Sequence, residues 1–353
     1  MQEARYDLSS IEAIQFMLTD FGYLVTEQEI IRPGTVVVGQ GPVHYIWHHT
    51  REQTEDLIRT HLLQDVVLIG TQYGIIDAPI RSSPQTLRRI VYLFPWVTEI
   101  RRDWMKDCPS LTTVDFIGLE NVTIIGDNWM CRCPQLIDPQ FVGLSNLVTV
   151  GDNWMSDCDV LRSPVFEGLV KLYSVGNKWM FRCPMLYNPL FQGLSNLYVV
   201  GDYWMSQCHM LHRPQFLGLD SLFSVKNHWM SSCSMLLDPQ FQGLDSLFKV
   251  GSFWMFHCIA LQYPNFIGLG KLNSVGINWM SRCQTLRDPQ FQGLYSLEKV
   301  EAYWMASCLI LRDPQFLGLS SLFSVGSSWM YNCMALQSPT FAGLEKLHTI
   351  SSN

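Results

Sequence analysis

The sequence predicts a repeat solenoid of short parallel β segments joined by turns or short helices, with a small α+β segment covering its first turn. Three observations carry that prediction. Tryptophan stands at 104, 129, 154, 179, 204, 229, 254, 279, 304 and 329, a constant 25-residue spacing with no insertion. Fixed self-similarity of this kind marks stacked supersecondary units. Each unit repeats one apolar pattern, seen at Trp154, Met155, Cys158, Leu161, Pro164, Phe166, Leu169, Leu172 and Val175. Finally, 353 residues are too many for one ordinary core, and stacking lifts that limit because each unit buries its apolar side only against its neighbours.

The chain divides into residues 1–86, an α+β cap segment; 87–100, a degenerate half-repeat; and 101–353, ten repeats of 25 residues. In the cap, Ser9 to Glu12 has capping-box spacing, and Ile11, Ile14, Met17 and Leu18 recur at helical intervals until Gly22. Val36 to Val38 and Val43 to Trp47 flank Gly39-Gln40-Gly41-Pro42 and read as two strands joined by a turn. A second capping box, Thr50 to Gln53, opens a helix with Leu57, Ile58, His61 and Leu62 on one face, before a strand at Val66 to Ile69. Leu87, Ile90, Pro95, Val97 and Ile100 then foreshadow Leu111, Val114, Val122 and Ile125 with a register slip of one residue. At the other end, Ile350 is followed only by Ser351-Ser352-Asn353. An uncovered last turn is an edge for pairing, so either a partner or self-association there is an expectation.

Within a repeat, Leu161, Pro164 and Phe166 take the first, fourth and sixth places of a Leu-x-x-Leu-x-Leu stretch, and Leu172-x-x-Val175 forms a second segment. The order Val-Gly-x-x-Trp-Met-x-x-Cys-x-x-Leu-x-x-Pro-x-Phe resembles the BspA-like leucine-rich repeat family, in which an aromatic replaces part of the helical side and a Cys precedes the Leu strand. The resemblance runs from Leu87 to the last residue. It implies a leucine-rich-repeat fold and names no function; family members known as surface and adhesion proteins make a cell-surface adhesin one alternative. Proline fills the fourth place in nine units, and only the first has Val114. Proline lacks the N–H of a ladder, so that column must be interrupted and a continuous ladder on the Leu-x-x-Val side is an equal alternative. Gly118 and its equivalents are placed for a φ > 0 turn. Lys226 and Glu301, replacing the glycine after Val or Ile, show that this other place does not demand one.

All eleven cysteines lie in the repeats, ten at one motif position with Cys131 as the extra. One per turn fits neither a disulfide framework nor the paired spacing of zinc sites. The reading is buried free thiols acting as small apolar fillers, which favour a reducing compartment. The start, Met1-Gln2-Glu3-Ala4-Arg5, has no basic end followed by an apolar run. No apolar stretch has membrane-spanning length. The expectation is a cytoplasmic protein without membrane contact. Charge argues against nucleic acid: residues 1–100 hold seven Arg and no Lys against twelve acids, and the rest is nearly balanced, so no basic stripe exists.

The tryptophans invite a ligand reading, but a residue present in every unit beside a constant Met and Cys reads as a core ladder. Function should lie where units differ. The column after the second-segment Leu reads Thr123, Val148, Tyr173, Tyr198, Phe223, Phe248, Asn273, Glu298, Phe323 and His348, and the place before Trp adds Tyr203, His228 and Phe253. Alternation points both columns outward. Tyr173, Tyr198, Tyr203, Phe223, His228, Phe248 and Phe253 are therefore the candidate partner-binding residues, weighed against an aromatic ladder packed only on itself. Asp138, Asp238, Asp288 and Asp313, with Gln140, Gln215, Gln240, Gln290 and Gln315, form a polar column that reads as a solvated face, with amide ladders a possibility for the glutamines. His48-His49, Glu52 and His61 match no metal-binding spacing. Asp20-Phe21-Gly22 lacks the other kinase motifs, and no P-loop, dinucleotide or nucleophile-elbow fingerprint is present. The sequence thus points to no catalytic residue, metal or cofactor. It predicts a non-enzymatic scaffold binding a protein partner, with a target-selecting subunit whose activity lies in 1–86 as the alternative beside the adhesin.

Overall fold

The computed structural model describes residues 36–37, 43–48, 50–70, 72–83 and 85–351. The helix expected from Ser9, the turn at 39–42 and His49 lie outside them. Strand β1 (Val36–Val37) pairs antiparallel with β2 (Val43–His48), as the flanking pattern predicts. Helix α1 (Arg51–Thr60) follows, with the Thr50 hydroxyl accepting from the Gln53 amide at 3.3 Å. It returns the chain to β3 (Asp65–Gly70), parallel to β2, the crossover that parallel strands require. One detail differs from expectation. The helix stops at Thr60 and Leu62 turns to φ 53°, so His61 and Leu62 are exposed and Leu63 goes inside instead.

The parallel ladders cross the boundary drawn at residues 86 and 87. Strand β3 pairs with β5 (Arg89–Leu93), which pairs with β7 (Thr113–Ile117), while β4 (Gly74–Ile76) pairs with β6 (Val97–Ile100), itself joined to β8 (Ile124–Ile125). The cap segment therefore ends in a solenoid turn of its own. The register slip is visible in the pairing, Ile90 facing Val114 but Ile100 facing Ile125.

From β4 onward the Leu-x-x-Val side forms one sheet of twelve strands in sequence order. In the repeats these strands are two residues long, such as Ser174–Val175 against Thr149–Val150 and Val199–Val200. The proline side has only isolated bridges, among them Gln140 to Val165 and Gln215 to Gln240. The missing proline N–H accounts for that asymmetry. The turn glycines behave as expected: Gly168 has φ +98°, and a Cβ there would stand 3.0 Å from the Phe141 carbonyl oxygen. The other glycine place has ordinary φ and is set by close approach, since a Cβ at Gly151 would lie 2.7 Å from the Asp127 amide.

The Trp-Met stretch contains no helix. It is a run of turns in which alternate residues take left-handed φ, in one unit Asn153 at 60°, Met155 at 50° and Asp157 at 55°. Their amides bond alternately to the next turn and the previous one: Asn153 to the Asn177 carbonyl at 2.7 Å, Met155 to that of Trp129 at 2.9 Å, Asp157 to that of Phe181 at 2.8 Å. Left-handed φ costs roughly 1–2 kcal/mol per non-glycine residue. Full burial of Trp154 and Met155, both 0% exposed, opposes that cost, a buried Met alone being worth about 1.5–3 kcal/mol.

The ten tryptophans stack along the rod with centroids 5.1–5.5 Å apart and planes within 2–6°. A second inner ladder, Phe116 to Phe341, runs beside them, each Phe meeting Trp edge-to-face, as Phe166 meets Trp154 at 5.5 Å and 72°. From Trp129 to Trp329 the indole N–H has no nitrogen or oxygen acceptor. The cysteines are more than fillers: Cys158 Sγ donates to the Met130 carbonyl of the previous turn at 3.2 Å, and Cys133 through Cys333 repeat this at 3.0–3.2 Å.

Candidate functional site

The stripe after the second-segment Leu is held by the strand ladder itself. Tyr198 N–H donates to the Tyr173 carbonyl at 2.8 Å, Phe223 to Tyr198 and Phe248 to Phe223 at 2.9 Å. Backbones locked at that pitch stack the rings: Tyr173, Tyr198, Phe223 and Phe248 follow at 5.2, 5.1 and 5.3 Å with planes within 1–6°. Tyr173 remains 48% exposed, Tyr198 37% and Phe248 40%, with Phe223 half-buried. The rings thus pack on one another and also face solvent. Asn273 and Glu298 end the stripe, and Phe323 with His348 resumes it at 5.7 Å.

The place before Trp forms a separate stack, Tyr203, His228 and Phe253, at 4.3 and 4.4 Å. Its rings are half-buried, and burial pushes the His228 pKa down against the opposing pull of Asp202. Phe181 and Phe256 meet its ends edge-on. Among the described residues no ring contact joins this stack to the stripe, so the seven candidate residues form two columns. All three backbones have φ 63°. Earlier turns fill this left-handed place with Asp103, Asn128 and Asn153, whose side chains hydrogen-bond in series at 2.8 and 3.0 Å. Short polar residues suit left-handed φ and aromatic ones do not.

A neighbouring ladder was legible only in hindsight. The Oδ1 atoms of Asp127, Asp152, Asn177, Asp202 and Asn227 each accept the backbone N–H of the equivalent residue one turn on, at 2.7–2.9 Å. The run of Asp and Asn at a single repeat position is its signal. In the polar column Asp138 Oδ1 accepts from the Arg162 and Ser163 amides and Asp313 Oδ1 from that of Ser338. The glutamines do not ladder: Gln240 and Gln315 donate to the Asp238 and Asp313 carbonyls of their own turn. Near the N-terminal end His48 is 6% exposed and its Nδ1 lies 2.8 Å from Thr54 Oγ1. Because that hydroxyl donates to the Thr50 carbonyl, the imidazole donates here. Glu52 shares a recess with His48, whereas His61 caps the far end of α1.

All eleven cysteines are free, ten of them buried. Burial drives most of their pKa values up, to about 12 for Cys233 and Cys283, which suppresses the thiolate and its reactivity. Among the described residues no helix is long and apolar enough to cross a membrane.

No protein-family model and no curated protein matches the chain. Among solved structures it is similar to a leucine-rich repeat protein from Bacteroides ovatus, at 16% identity over 79% of this chain and 78% of that one, with a TM-score of 0.53. A leucine-rich repeat protein from Eubacterium ventriosum aligns over 80% of this chain and 87% of its own, at 14% identity and a TM-score of 0.41. Identities this low speak for fold alone, and the first comparison agrees with the 25-residue turns described above. In fold, the chain is a leucine-rich-repeat solenoid.

Proposed function

We propose that this solenoid is a non-enzymatic scaffold that docks a protein partner on its middle turns, through Tyr173, Tyr198, Phe223 and Phe248 with Tyr203, His228 and Phe253 alongside. One observation carries the reading. The middle turns place Tyr203, His228 and Phe253 at a left-handed position that Asn153 and Asn278 hold in other turns, and leave the rings only half-buried. A scaffold gains little from that exchange. Exposed aromatic area is what partner recognition uses, because aromatic side chains bring large contact area at low entropic cost and are enriched at interfaces.

The test compares affinity capture from the source cells by wild type, by Tyr198→Ala/Phe223→Ala/Phe248→Ala, and by a control. Val142→Ala/Leu217→Ala/Leu317→Ala removes similar apolar surface at positions 57%, 49% and 52% exposed. A defined protein retained by wild type and the control but lost by the stripe variant supports the proposal. The same proteins on all three would end it.

A further inference from the structure

We propose a second binding site, for a cationic peptide segment, in a recess on the proline side of the rod. It involves none of the aromatic stripe residues. The recess has a volume of about 410 Å³ and is lined by Asp238, Tyr263, Asn265, Asp288, Gln290 and Gln292. Local structure explains why it opens there. The isolated bridges of this face skip Asn265, although Gln215 bridges Gln240 before it and Gln290 bridges Gln315 after it. Asn265 instead turns its side chain back, Oδ1 accepting from the Ile267 amide at 3.0 Å.

The chemistry of the lining is selective. Asp238, Tyr263 and Asp288 occupy the same repeat position in three successive turns, so one carboxylate stands a turn to either side of the phenol ring. Two turns, about 9.6 Å at strand pitch, separate the carboxylates, so a cation seated on the Tyr263 ring lies about one turn from each. Elsewhere in this column the scaffold uses its carboxylates: Asp138 and Asp313 accept backbone amides of the next turn. The carboxylates of Asp238 and Asp288, both half-buried, have no hydrogen bond and no ion pair among the described residues. Arg213, Arg287 and Arg312 are nearby in sequence position but exposed and pair with neither. Tyr263 is 52% exposed, and an aromatic face flanked by two carboxylates suits a guanidinium or ammonium group, which gains from both cation–π attraction and charge-assisted hydrogen bonds. The recess exceeds a single side chain, and the amides of Gln290 and Gln292 offer donors and acceptors to the backbone of an extended segment. The net charge of −7 favours approach of a basic partner.

The probe is a fluorescein-labelled Gly-Arg-Gly-Arg-Gly peptide, titrated by anisotropy against the full chain, with Gly-Glu-Gly-Glu-Gly as its acidic counterpart. Asp238→Asn/Asp288→Asn should weaken binding about tenfold, and Tyr263→Leu about threefold, the share expected of a flanked cation–π contact. Asp220→Asn/Asp245→Asn, an exposed pair with the same charge change, should leave it unchanged, as should the stripe variant Tyr198→Ala/Phe223→Ala/Phe248→Ala. These carboxylates hold no backbone, so melting curves of the variants should match wild type and exclude misfolding. Equal weakening by the Asp220/Asp245 control would reduce the effect to general charge attraction and overturn the site. So would absence of binding by wild type, or displacement of the peptide by millimolar calcium chloride but not by free arginine amide. The stripe proposal would survive any of these, because its own capture experiment does not involve the recess.

Discussion

Two aromatic stacks run along this rod with the same geometry and opposite surroundings. The Trp104 to Trp329 ladder repeats at 5.1–5.5 Å, and all but its last ring are sealed at 0% exposure; the Tyr173 to Phe248 stripe repeats at 5.1–5.3 Å and stands 37–48% open at three of its four rings. Stacking is therefore imposed by the 25-residue pitch on any column of rings and says nothing about role. Exposure does. Inside, the ring is paired with Met and Cys in every turn; outside, rings fill four successive turns, give way to Asn273 and Glu298, and resume only at Phe323 and His348.

The inner side should break first, and at high pH. Thiols whose folded pKa is raised contribute stability that is complete below their ordinary value near 9 and is lost as pH rises toward the folded value, about 12 for Cys233 and Cys283. Each such thiol should cost about 1.4 kcal/mol per pH unit in that window. With Cys158, Cys183, Cys208, Cys258 and Cys308 also raised by burial, denaturant midpoints should fall steeply between pH 9 and 11. A flat profile would mean that the thiols are open to water. Correspondingly, a thiol reagent at neutral pH should label native protein only at half-buried Cys333 and all eleven sites after denaturation.

Single substitutions sharpen the contrast. Trp254→Ala should cost about 3–5 kcal/mol, read from urea unfolding, whereas Phe248→Ala should cost less than about 1 kcal/mol, the range of a cross-strand pair. Equal losses would erase the distinction between ladder and stripe. The smallest effect belongs to His228. Its folded pKa is lowered by burial, so its contribution is present above the ordinary value near 6.5 and fades as pH falls through the folded one, a change below about 1 kcal/mol that His228→Asn should abolish.

The spacing of Trp and Cys made the solenoid legible without coordinates, and proline without an N–H told which side would lack a continuous ladder. What stayed hidden was conformational. Nothing in Trp154-Met155-Ser156 announces the left-handed φ of Met155, because Met has no local preference for it and is held there by an inter-turn hydrogen bond and burial. For the same reason the thiols read as fillers until the Met carbonyl they cap was seen. The stripe was legible as a column, but its separation from Tyr203, His228 and Phe253 was not, since five residues of chain do not reveal ring contact. The opening at Asn265 depends on a bridge that fails to form, and its only sign is an Asn between Gln240 and Gln290, a shorter side chain that folds back on its own backbone.

The most direct measurement is thermal unfolding and partner capture on the same preparation of Tyr198→Ala/Phe223→Ala/Phe248→Ala. The account predicts a melting temperature within about 3 °C of wild type, a small loss for a chain this size, together with loss of the partner. A partner retained at full yield, or a melting temperature lowered as far as by Trp254→Ala, would contradict it.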